Sequence, residues 1–214
     1  MFDIYIHNHF LKTPLGNPFQ VPTLALAKAI EEEWEKDPSP QYQKKTITSL
    51  VASALDRVPY SREAYTTYII QTVLQDVILF WVESPASVVK QQDKNWQPII
   101  KAVNQRLGLT LKPVSTLTIG SLSEKERDII HSFLERLTDF KLVGFSHLLT
   151  LTDSFCLSYL VQQGELSADK AWDLAHLHEH SQRKIWGNDK EALVLENTQR
   201  TEFLETVRFL KLIG

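Results

Sequence analysis

The chain has one cysteine, Cys156, and one methionine, at its first position. A lone thiol closes no internal disulfide, and its place in an apolar run makes it core filler suited to a reducing compartment. Glycine is also scarce, at seven in 214 residues. No G-x-x-x-x-G-K followed by Ser or Thr is present, no G-x-G-x-x-G and no G-x-S-x-G, so the sequence offers neither a phosphate cradle nor a nucleophile elbow. Basic charge is short as well: 23 Lys and Arg stand against 26 Asp and Glu, for a net charge of -3. With no basic block, nucleic acid is excluded as the main partner. The longest apolar run, Phe140 to Val161, is interrupted by Lys141, His147 and Asp153. That is too polar to span a membrane and reads as one buried helix over residues 139–163. The opening MFDIYIHNHF is neither a charged-then-apolar signal nor an acid-free transit peptide, so structure is expected from the start.

What the sequence does contain is helical periodicity behind a short β opening. Asp3 to His7 alternates and Phe10 to Thr13 follows Asn8-His9, which predicts a hairpin. Pro14, Gly16, Asn17 and Pro18 mark a loop, and Thr23 caps a helix carrying Leu26, Ala27, Ile30 and Trp34 on one face. Asp37-Pro38-Ser39-Pro40 stops it, and Gln41 to Lys45 is the expected linker. Helices follow over Ser49 to Arg57 and Arg62 to Trp81, the second with Asp76 in its apolar register. Ser84-Pro85 restarts the chain as cap and first-turn proline, and Gln92, Trp96, Ile100 and Val103 share a face until Gly108. Residues 109–113 and 116–119 read as short strands returning to the opening hairpin. Ser123 with Glu126 forms a capping box for a further helix, and residues 190–212 close the chain as another. The expected fold is α+β and mostly α: a small N-terminal α/β domain over 1–45, joined by strands 109–119, and a helical bundle over 46–214 with six to eight helices.

The most informative stretch is Ala171 to Glu191. Ala171, Leu174, Ala175 and Leu177 form an apolar stripe, and Glu179 and Gln182 fall on a wetter face before the Trp186-Gly187 corner. His176, His178 and His180 invite a metal reading, and hence a metal-dependent hydrolase. On a helix, however, His176 and His180 share a face while His178 points away, and H-E-x-x-H is absent. Two imidazoles are too few for zinc, so neither metal nor cofactor is expected and the histidines read as a solvated face. Asp189 and Glu191 lie in an exposed loop with nothing to shift their pKa values, so no catalytic residue is assigned and the chain reads as a binding module, not an enzyme. Trp34, Trp96 and Trp186 read as packing. Asp56 and Arg57 read as a helix-end pair at the domain junction.

Several separated strings resemble one family. LKTPLGNPFQVPTLALAKAIEEEW, at Leu11 to Trp34, is similar to the opening block of the ATP-twelve family of ATP synthase catalytic-head assembly chaperones. TSLVASALDRV at Thr48 to Val58, with Asp56 and Arg57, is similar to its second block. Gln92, Trp96 and Pro98 match its Q-x-x-x-W-x-P, and Gly164 with Ala171-Trp172 matches the glycine and Ala-Trp pair before the terminal block. Glu179, Gln182, Trp186, Gly187, Asp189 and Glu191 match E-x-x-Q-x-x-x-W-G-x-D-x-E, the most specific of these motifs. The family's extra acidic and aromatic residues around the glutamate are replaced here by His178, His180 and Ser181, and the chain begins inside the family's first hairpin. The resemblance implies a chaperone without catalysis that binds the unassembled α subunit and covers its β-facing surface. It places Glu179, Gln182, Asp189 and Glu191 at the contact. The implied location is the bacterial cytoplasm, or the mitochondrial matrix in a eukaryote.

Overall fold

The structure is a computed structural model that describes residues 1–38, 42, 46–115, 120–186 and 190–214, with the side chains of 182–186 and 190 outside the description. The expected linker over residues 41–45 and the expected strand over 116–119 therefore fall almost wholly outside the described residues.

The chain opens with four two-residue strands, β1 (Phe2–Asp3), β2 (Tyr5–Ile6), β3 (His9–Phe10) and β4 (Gln20–Val21). β2 pairs antiparallel with β3, and β1 with β4. The hairpin corner is His7-Asn8, one residue earlier than expected. Both residues take positive φ, 48° and 64°, as a two-residue turn matched to strand twist requires. Gln20–Val21 was missed as a strand because its partner lies at the chain start, beyond the reach of a local pattern. Ile4 and Phe19 are fully buried between the two pairs, and Ile4 N donates to Phe19 O.

Ten α-helices follow among the described residues: α1 (Leu24–Lys36), α2 (Ile47–Asp56), α3 (Val58–Thr72), α4 (Ala86–Leu107), α5 (Glu124–Glu135), α6 (Asp139–Thr152), α7 (Phe155–Gln162), α8 (Ala168–Ala175), α9 (Leu177–Trp186) and α10 (Lys190–Ile213). Thr23, Thr46, Ser123, Thr138, Ser154 and Ser167 cap six of them, each hydroxyl accepting from the amide three residues on and replacing a partner the first turn lacks. At α4 the N-cap is Pro85 itself rather than Ser84. The center of the bundle is α6, which is apolar on nearly all sides and packs against α2, α3, α7 and α10. The buried residues of the N-terminal strands and of the helices form one continuous core.

Four sequence expectations are corrected by tertiary contacts. The helix expected to run to Trp81 ends at Thr72 and gives way to 3-10 turns at Val73–Gln75 and Val77–Leu79. The cause is Asp76, wholly buried, whose carboxylate accepts from Ile78 N at 3.1 Å and from Cys156 N at 2.8 Å. The single helix expected over 139–163 is two, because Asp153 turns left-handed at φ 47° and Ser154 caps a new start. The helix expected through Trp186 likewise breaks at His176. Residues 109–113 form no strand. Leu111 N and O are held by the Asn104 side chain, and Thr110 N by Glu126, so their backbone groups are taken before a ladder can form. Among the described residues beyond them, the bridge at Val114 pairs with Phe80 instead of with the opening hairpin.

Candidate functional site

The site is built where α4, α8, α9 and α10 meet. Ser167 opens α8, whose Ala171, Trp172, Leu174 and Ala175 are buried. A helix of this length leaves its last four carbonyls without intrahelical partners. Here Leu174 O accepts the indole N–H of Trp96, fully buried on α4, at 2.9 Å, and Trp172 O accepts from His176 N at 3.1 Å. His176 stacks on Trp172 with ring centroids 4.0 Å apart, and Trp172 packs in turn on Phe203 of α10.

The three histidines diverge, His176 at the end of α8 and His178 and His180 on α9. His178 turns inward, its ring 4.8 Å from Trp96 and its Nε2–H donating to the Gln92 amide oxygen at 2.8 Å. The same amide brackets Val82, donating to its carbonyl at 3.2 Å and accepting from its N–H at 3.0 Å. Burial pushes the His178 pKa below its usual value, with Glu179 pulling the other way, which keeps the ring neutral. His180 turns toward α10, where Nε2 lies 2.9 Å from Glu196 Oε1. None of the three is the freely solvated face expected from sequence. Each is tied to a neighbour, and among the described residues no three His, Cys, Asp or Glu side chains gather as metal ligands.

Glu179 lies between these two anchored imidazoles and is exposed. With its neighbours held by α4 and α10, the helix period leaves the carboxylate pointing off the bundle. It is close enough to Asp153, at the α6–α7 corner, to act on it: partial burial raises the Asp153 pKa, His176 opposes the rise and Glu179 adds to it. The pair makes an acidic edge. Glu191 is exposed in the first turn of α10, where a carboxylate suits the helix dipole. Of the other expected contact residues, Gln182 lies on α9 with its side chain outside the description, and Asp189 and Gly187 lie outside the described residues. Trp186 ends α9 in backbone only.

The remaining motif residues have structural settings. Trp34 is only half-buried, edge-on to Tyr42 at 6.0 Å. Pro98 is exposed inside α4. Asp56 is buried, and its two oxygens accept from Thr13 Oγ1 at 2.5 Å, Asn17 Nδ2 at 2.8 Å and Leu15 N at 3.1 Å. It locks the N-terminal loop onto α2, whereas Arg57 is exposed and takes no part. Sequence reasoning missed Asp76. Its one available signal was a carboxylate in an apolar helical register.

Residues 1–104 match the family model described as ATP12 chaperone protein. The mitochondrial Atp12 protein of Schizosaccharomyces pombe is 26% identical over 207 residues, covering 91% of this chain and 71% of that protein. Over these residues the chain is similar to the ATP12 chaperone family. The family it resembles is one of chaperones for ATP synthase assembly. Its fold agrees: the Atp12 crystal structure from Paracoccus denitrificans is 25% identical and superposes with a TM-score of 0.88 over 97% of this chain and 89% of that one. A protein from Agrobacterium tumefaciens, 23% identical, shares the fold with a TM-score of 0.90 over 99% and 80% of the two chains. Among the described residues, no helix is long and apolar enough to cross a membrane.

Proposed function

We propose that this chain is an ATP12 chaperone that binds the unassembled α subunit of the ATP synthase catalytic head and covers its β-facing surface until assembly, without catalysing a reaction. The observation that carries the reading is the position of Glu179: an exposed carboxylate on a helix whose flanking histidines are both anchored to the bundle. A ring subunit before assembly exposes interface that invites aggregation or wrong pairing. A cover that must later yield is served by a polar, moderate contact, and a rigidly presented carboxylate meets basic groups on the client without first paying to be ordered. Gln182, Asp189 and Glu191 extend the same contact along the motif. The protein works in the compartment where the catalytic head assembles.

The test is co-expression with the cognate α and β subunits separately. Selective solubilisation and co-purification of α is expected, and equal capture of both would reduce the protein to a general holdase. Glu179 is exposed in the first turn of α9, so Glu179→Lys costs about 1 kcal/mol of stability through the helix dipole and keeps its helical circular dichroism and cooperative melt, yet it loses about 2 kcal/mol or more of client binding. Glu63→Lys, on the exposed side of α3, is the matched control. Normal binding by Glu179→Lys would move the docking face elsewhere.

A further inference from the structure

A cavity of about 290 Å³ lies between α2, α3, α6 and α10, apart from the Glu179 face. Its walls are polar in a pattern that follows from helix spacing. Ser49 and Ser53 of α2 and Arg57 at its C-cap recur every four residues, and Ser146 and Thr150 do the same along α6, so two polar stripes line it together. Tyr65 of α3 adds a phenol. Some of these groups are satisfied internally: Ser49 Oγ donates to Thr46 O, and Thr150 Oγ1 to Ser146 O. The Ser53, Ser146 and Tyr65 hydroxyls and the Arg57 guanidinium have no hydrogen-bond or ion-pair partner among the described residues.

The nearby carboxylates do not neutralise Arg57. Asp56, its neighbour in sequence, turns to Thr13 and Asn17, and Glu202 is paired with the cavity residue His147 at 2.7 Å. The free groups are thus a permanent cation with a planar array of donors and three hydroxyls able to donate. That set repels cations and suits an acceptor-only anion. Three terminal oxygens match it better than two, and the volume falls just below that of sites for drug-sized ligands.

We propose that this cavity is a binding site for phosphate, free or carried on a small phosphomonoester, held by Arg57 with Ser53, Ser146 and Tyr65. The site lies outside the motif at Glu179 and shares no residue with the proposed client contact. Titration of the full chain with inorganic phosphate and with glycerol 3-phosphate, followed by calorimetry at matched ionic strength against chloride, should give saturable binding at one site per chain. Since phosphate also stabilises folded proteins by exclusion from their surface, the deciding comparison is between variants. Arg57→Gln, whose side chain has no hydrogen bond or ion pair to lose among the described residues, should keep the circular dichroism of the parent and weaken binding at least tenfold, and Arg57→Lys should fall between. Tighter binding of glycerol 3-phosphate would assign the occupant to organic phosphates, and equal binding to the free ion. Absence of saturable binding by both probes, or unchanged affinity in Arg57→Gln, would overturn the assignment.

Discussion

Trp96 on α4 donates its indole N–H to the carbonyl of Leu174 on α8 at 2.9 Å, joining two segments 78 residues apart in the chain. The bond falls where α8 runs out of its own donors, so the indole completes the helix end and holds the platform on which α9 turns. Trp96→Phe keeps most of the apolar volume and removes the donor, leaving a buried carbonyl unpaired at about 1–3 kcal/mol. Trp96→Ala adds a cavity, and the total rises to about 3–5 kcal/mol. Urea denaturation measures both, and a loss below about 0.5 kcal/mol in Trp96→Phe would mean that water replaces the indole.

Asp56 gathers three donors from residues 13–17. Removing one buried charged acceptor strands all three, and hydrogen bonds to charged groups contribute about 1.5–3 kcal/mol each without adding linearly. Asp56→Ala is expected to cost about 3 kcal/mol and Asp56→Asn roughly half, since one oxygen still accepts. Hydrogen exchange should speed up at Leu15 and Asn17 while α10 stays protected. Uniform loss of protection would show that the loop and the bundle unfold together.

Gly144 of α6 packs tightly against Leu210 of α10. A Cβ there would lie 2.5 Å from Leu210 Cδ2 and 2.8 Å from Leu210 Cγ. Alanine should favour the helix by about 1 kcal/mol, yet overpacking a filled core costs about 1–3 kcal/mol. The clash is expected to win narrowly, so Gly144→Ala lowers the melting temperature by a few degrees. Gly144→Ala combined with Leu210→Ala should destabilise less than the sum of the two single changes. Strict additivity would show that Leu210 simply moves aside.

His178 carries a pH signature. Its folded pKa is depressed below 6.5, first by burial, so its contribution to stability is complete above pH 6.5 and is lost as the pH falls through the folded value. Protonation would place an imidazolium against Trp96 and Gln92. Wild type should therefore lose stability below pH 6.5 more steeply than His178→Gln, which cannot titrate. Parallel stability curves for the two proteins would refute the inward, neutral imidazole.

Much of the helical framework was readable because its signals are local. Thr23, Ser123 and Ser167 each stand just before an apolar-periodic run, and Gly108 ends α4 left-handed at φ 74°, as helix stops require. Trp96 could be assigned to the core from its register alone, and it is fully buried. The divergence of His178 from His176 and His180 also follows from the helix period. Breaks inside apolar runs were not legible. Asp153 and His176 look like ordinary helix interior, and what ends the helices there is Asp76 reaching Cys156 80 positions away and Trp96 reaching Leu174.

The sequence by itself determined the helical character, the scarcity of chemistry and the family motif, because caps, apolar period and missing phosphate or metal patterns are properties of a few adjacent residues. Only the tertiary structure decided where each side chain spends its hydrogen bonds. Asp56 became the lock on the N-terminal loop, Gln92 a bracket for Val82 and His178, and residues 109–113 a loop rather than a strand, because their partners are distant in the chain and a buried polar group must find one wherever the fold provides it. Glu179 is exposed for the complementary reason: the residues on either side of it are held, and it is not.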